Sequence, residues 1–136
     1  MRSYIEVGFY PPGYVFPKLR VDDPLDDGDV LTLGSLSLRA LVAPGHSAGG
    51  LCLYGVIDGK NTLLCGDVVF FGGKINLISI FDADLLAYKR SVLALEQLPV
   101  DMLLPGHLQP LLNRGGEQLR KAAEPFRNYS VPPSLC

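Results

Sequence analysis

Two histidines occur in the 136-residue chain, and both follow the same dipeptide, in Pro44-Gly45-His46 and Pro105-Gly106-His107. Each Pro-Gly-His closes an apolar run. A glycine ahead of the histidine lets the backbone turn sharply where a strand stops, which carries the imidazole to the rim of a sheet. Between the two, Leu63-Leu64-Cys65-Gly66-Asp67 repeats the design with a carboxylate in the histidine's place. Two imidazoles and one carboxylate are ligand types that zinc and related ions take. Singly, each is explained as a hydrogen-bonded loop histidine or a turn aspartate. Three in one local setting point to a metal site.

The elements that must present these residues follow from apolar periodicity. Val30, Leu31 and Leu33 precede a Gly34-Ser35 turn, after which Leu36, Leu38, Ala40 and Val42 alternate along a second strand; this reads as a hairpin. Leu51 to Ile57 and Thr62 to Cys65, joined by Asp58-Gly59-Lys60-Asn61, read as another. Leu85, Tyr88, Val92 and Leu95 recur at helical spacing, which predicts a core-facing helix capped by Asp82 or Asp84 and running to about Leu98, before Pro99. Val100 to Leu104 is a short apolar strand that delivers His107. Gly116 to Phe126 predicts a second helix, interrupted by Pro125, ahead of a Pro-rich tail. Tyr10 to Pro17, with Pro11, Pro12, Gly13 and Pro17 among aromatics, predicts an irregular segment. Asp22 to Asp29 reads as a solvated turn. The expected organisation is one domain: an irregular opening over 1–28, the site-bearing part over 29–115, and a helix with tail over 116–136.

In order as well as in residues, Asp27 to Gly115 resembles the second half of the metallo-β-lactamase superfamily, above all its glyoxalase II-like hydrolases. Asp27-Gly28-Asp29-Val30-Leu31 is similar to the family's D-G-D hairpin, and Ala43-Pro44-Gly45-His46-Ser47-Ala48-Gly49-Gly50 to its T-P-G-H-T-x-G-S loop. Leu64-Cys65-Gly66-Asp67 resembles its G-D loop and Leu104-Pro105-Gly106-His107 its P-G-H end. As a set these are specific, although each tetrapeptide alone is weak. The resemblance implies an α/β fold equivalent to the carboxy-terminal half of an αββα sandwich, mostly antiparallel strands with one or two helices. It also implies a metal-dependent hydrolase, thioesterase-like in its leaning, with one or two ions of zinc, iron or manganese. By the same likeness His46 binds the first metal, Asp67 bridges both and His107 binds the second.

The family's H-x-H-x-D-H motif, which supplies the remaining ligands, has no counterpart here, since no histidine precedes His46. A catalytic zinc takes three protein ligands and keeps a position open for water. The chain by itself is therefore expected to bind metal weakly and to be inactive, as an incomplete chain of such an enzyme. One half of a two-sheet sandwich leaves an apolar sheet face bare, so homodimerisation or pairing with the missing amino-terminal half is expected.

Two other functions compete. Gly45-His46-Ser47-Ala48-Gly49 fits the G-x-S-x-G nucleophile elbow, and Ser47, Asp101 and His107 occur in the order of an α/β-hydrolase triad. The elbow needs a helix straight after the serine, however, where Leu51 to Ile57 reads as a strand. The second rival is a truncated, non-catalytic binding or interaction module of the same fold. A Cys-His pairing of Cys52 or Cys65 with His46 is disfavoured because both thiols lie in apolar strands, where burial suppresses the thiolate.

Composition narrows the partners. Twelve Lys and Arg against fourteen Asp and Glu, with no basic cluster, argue against nucleic acid and leave a small-molecule substrate. Three cysteines (Cys52, Cys65 and Cys136) form no even-numbered framework, and Met1 to Tyr10 lacks a signal peptide's layout, so a reducing, cytoplasmic setting is expected. No apolar run approaches the length that spans a bilayer.

Overall fold

A computed structural model describes residues 4–6, 8–15 and 17–135; Arg2 and Cys136 fall outside them. One five-stranded sheet in the order β1-β2-β3-β4-β5 is built from Val30–Leu33, Leu36–Val42, Leu51–Ile57, Lys60–Gly66 and Met102–Pro105. The first three pairings are antiparallel, and β5 joins β4 in parallel. Helices α1 (Leu85–Leu95) and α2 (Gly115–Arg127) complete the α/β fold. Since β2 and β4 each pair antiparallel with β3, they run in one sense, and β5 runs with them. Their carboxyl ends lie on one edge of the sheet. Those three ends lead into Pro44-Gly45-His46, Gly66-Asp67 and Pro105-Gly106-His107.

Strand alternation assigns the faces. Cys52, Leu63, Cys65 and Leu103 point to the helices and pack with Tyr88, Val92 and Leu95 of α1 and with Leu119, Ala122, Ala123 and Phe126 of α2. Their neighbours Leu53, Leu64 and Leu104 point to the opposite face and are only half-buried. Gln118 of α2 is buried and accepts the Gly72 N–H at 2.8 Å, which seats a 3₁₀ turn (Phe71–Gly73) on that helix.

Both hairpins form where alternation places them. The second turn is tighter than expected: Asp58 and Gly59 alone make it, with φ of 51° and 73°. Two consecutive positive φ values match the right-handed strand twist, so pairing starts already at Lys60. Asp84, rather than Asp82, caps α1, its Oδ1 accepting the N–H groups of Leu86 and Ala87 at 2.8 and 2.9 Å. The helix ends at Leu95 and not at Leu98.

Leu85, expected in the core, is 37% exposed, while Ala87 and Ser91 are buried instead. Leu85 sits in the first turn, where the helix overhangs a surface cleft. Pro125 does not interrupt α2, which continues to Arg127. A proline in the last turn removes a single helix donor, and the helix has less than a full turn left to run beyond it.

Candidate metal centre

At the shared strand edge, Asp67 Oδ2 stands 3.6 Å from His46 Nε2 and 3.3 Å from His107 Nε2. Both distances exceed those of ordinary hydrogen bonds. They match instead the separation of about 3.4 Å between two donors that share a tetrahedral ion with bonds of about 2.0–2.1 Å. The ligand types and these two edges fit a zinc-class ion. The set stops short of a closed cage: among the described residues, no group of three or more His, Cys, Asp or Glu is arranged to hold a metal by itself. His46 and Asp67 are sheltered, with side chains about one-fifth exposed, whereas His107 is 72% exposed. The site is open on the His107 side.

Each approach has its own cause. His46 Nδ1 lies 2.7 Å from the Asn76 carbonyl oxygen. A carbonyl only accepts, so Nδ1 carries the hydrogen, and Nε2 is the ring nitrogen left to bind a metal when the imidazole is neutral. The Gly106 N–H donates to Gly66 O at 2.8 Å, tying the Asp67 and His107 loops together. A Cβ on Gly106 would stand 2.9 Å from Asp67 Oδ1. The two Pro-Gly-His segments therefore differ: Gly45 turns the chain at φ 146°, while Gly106 has no such φ and is required for room. Gly66 makes its own turn at φ 51°.

Helix α1 holds the loops from behind. The Gly45 carbonyl accepts the Asp84 N–H at 2.9 Å, and Ser91 Oγ donates to the Pro44 carbonyl at 2.7 Å. Asp82 Oδ1 accepts the Ala48 N–H at 3.1 Å. Asp27 does more than solvate a turn: its Oδ1 accepts the Val42 N–H at 2.9 Å, clamping the end of β2 just ahead of His46. The D-G-D likeness was the signal for that contact. Asn76, Tyr88 and Ser91 had none, because Tyr88 and its helix read simply as core.

The rival nucleophiles are poorly placed. Ser47 leads into a turn and then β3, with no helix behind it. Asp101 and His107 flank opposite ends of β5, and Asp101 Oδ2 already accepts the Asn61 N–H at 2.9 Å. Burial pushes the Cys65 thiol up to about 12 and the Cys52 thiol upward as well, with Cys65 adding to the latter. In a Cys136→Ser variant, neither thiol should react with a disulfide reagent at pH 8 until the chain is unfolded; rapid labelling of the native protein would contradict their burial. Because the folded thiols hold their protons above the ordinary value near 9, their contribution to stability is whole below that pH and is lost as pH rises toward 12.

A sequence-family model described as the metallo-β-lactamase superfamily matches residues 2–107. The chain belongs to this superfamily. Among curated relatives it is 32% identical over 114 residues to the human acyl-coenzyme A thioesterase MBLAC2, covering 82% of this chain and 38% of that protein. The chicken protein of the same name is 29% identical over 126 residues, covering 90% of this chain and 42% of the relative. Hydroxyacylglutathione hydrolase of Hahella chejuensis is 37% identical over 78 residues, covering 57% and 29%. The chain thus spans less than half the length of these relatives.

Among solved structures, the metallo-β-lactamase family protein TTHA1429 of Thermus thermophilus superposes with a TM-score of 0.64 at 24% identity, covering 77% of this chain and 35% of that one. That likeness bears on the fold alone. TTHA1623, solved in a di-iron-bound form, gives 0.54 at 29% identity over 69% of this chain and 44% of its own. The metallo-β-lactamase fold is thereby established for the chain, as the motif order had implied. No described helix is long and apolar enough to cross a membrane.

Proposed function

We propose that this chain is the carboxy-terminal, metal-bearing half of a metal-dependent thioester hydrolase, with His46, Asp67 and His107 as its share of the ligands. The observation that carries the proposal is the convergence of two imidazole Nε2 atoms on one carboxylate oxygen of Asp67. The names of the thioesterase and hydroxyacylglutathione hydrolase relatives support the substrate class. An open cleft of about 560 Å³ beside the His46 loop, lined in part by Phe81, Leu85 and Leu86, offers an apolar place for an acyl group. A zinc-class ion, when bound, supplies a water acidified enough to attack at neutral pH.

The chain's own residues keep His46 in the tautomer that presents Nε2 and hold Asp67 between the two imidazoles. They also leave the His107 side open for substrate. With one histidine and a shared carboxylate per ion, the ligand set is completed from elsewhere. The half-buried Leu53, Leu64 and Leu104 support a complementary amino-terminal half packing on that sheet face.

Titration with zinc should show saturable binding by the chain at micromolar or weaker affinity. Acyl-coenzyme A hydrolysis should appear only when a half carrying H-x-H-x-D-H is fused ahead of Met1. The fusion should also abolish any apolar-dye binding by the chain. Zinc binding that never saturates, in chain and fusion alike, would leave the interaction-module reading in its place.

A further inference from the structure

Tyr88 is fully buried in α1, yet its hydroxyl is the meeting point of two loops that carry site residues. It accepts the Asn76 N–H at 3.1 Å and lies 2.8 Å from the Asp67 carbonyl and 2.7 Å from the Val68 carbonyl. A phenol has one hydrogen and accepting lone pairs, so the two carbonyls share the hydrogen while the oxygen receives Asn76. The Asn76 carbonyl, at the other end of the same residue, fixes His46 Nδ1. A continuous chain of contacts therefore runs from the Asp67 backbone through Tyr88 and Asn76 to the His46 ring. Tyr88 and Ser91 of α1 lie three residues apart on one helix face, with the capping residue Asp84 one turn ahead of them. Asp84 and Ser91 hold the His46 loop at Gly45 and Pro44, and Tyr88 alone of the three reaches the Asp67 loop.

We infer that the Tyr88 hydroxyl is a positioning group that sets the separation of His46 from Asp67, joining their two loops through Asn76. The benzene ring fills the core, and any apolar ring of that size would do so. The oxygen addresses backbone groups that otherwise have to find partners in a dry interior. A phenol keeps its hydrogen at neutral pH and so remains a donor. The consequence for metal binding rests on the proposed function, but the positioning itself does not.

Tyr88→Phe keeps the ring and deletes the contacts, and three readouts on the full chain decide the matter. In the variant, amide exchange at Asn76 should accelerate at least tenfold. The nitrogen chemical shifts of His46 should move away from those of the Nδ1–H tautomer. Zinc affinity should fall about 10- to 100-fold, the usual effect of losing an outer partner of a ligand. Ser91→Ala, which loosens Pro44 from the same helix face, should leave the Asn76 amide unchanged.

Unaltered Asn76 exchange and His46 shifts in a folded Tyr88→Phe protein would overturn the inference. So would an Asn76 amide that exchanges in the unsubstituted chain as fast as an open loop, a measurement that stands even if the variant does not fold. If zinc never binds but Asn76 and His46 respond as described, the metal reading fails and the positioning role holds.

Discussion

Asp67→Asn will lower zinc affinity by more than the roughly 10- to 100-fold that loss of an outer partner produces, and will remove any hydrolysis supported by the fused protein. One oxygen of Asp67 faces both imidazoles at 3.3 and 3.6 Å, so this single change strips charge from every close approach in the site. Asparagine keeps the shape but offers a neutral oxygen, which supplies no charge to balance a divalent ion held beside either histidine. The fold should survive. What the structure asks of residue 67 is its main-chain carbonyl, which Tyr88 holds, and asparagine retains it. Thermal unfolding within about 0.5 kcal/mol of the parent, together with lost zinc uptake by calorimetry, is the expected pair of results. Undiminished zinc uptake would remove Asp67 from the ligand set.

Gly45→Ala is expected to produce the largest loss of stability among single substitutions near the site. A Cβ there would lie 2.4 Å from Tyr88 Cα and 2.5 Å from Tyr88 Cβ, against helix backbone that has no flexible end to give way. The residue also sits at φ 146°, where side chains are strained. Overpacking costs about 1–3 kcal/mol and an unfavourable backbone region about 1–3 kcal/mol more. The sum, about 2–6 kcal/mol, is a large share of the roughly 5–15 kcal/mol that holds a domain together. Gly49→Ala is the natural control, because nothing lies within 4 Å of its Cβ position. Urea unfolding should separate the two by several-fold in effect; equal midpoints would mean that the His46 loop does not press on α1 as described.

Much of the candidate site's geometry was legible because its three residues share a local grammar of apolar strand, glycine and polar side chain. Periodicity located the strands, and Asp84 lay within the expected capping range. Periodicity carries no information on pairing partners, so the parallel junction of β4 and β5 could not be read from it. Yet that junction, with Gly106 N–H on Gly66 O, is what brings His107 to Asp67. Asn76 and the Tyr88 hydroxyl were equally silent. A tyrosine on an apolar helix face gives the same periodic signal whether its oxygen is wet or bonded. The two Pro-Gly-His segments looked alike as letters and differ as structures, since Gly45 answers both a torsional need and a lack of space beside Tyr88, and Gly106 a lack of space alone.

Because β2, β4 and β5 all end on one edge, the Gly34-Ser35 turn, the Asp58-Gly59 turn and the approach to β5 at Pro99 lie on the far rim. The candidate site and these turns thereby lie at opposite poles of the sheet. A dye, an affinity handle or a surface tether grafted at Asp58-Gly59 would stand a full strand length, about 20 Å, from Asp67, leaving the edge that carries His46, Asp67 and His107 unobstructed.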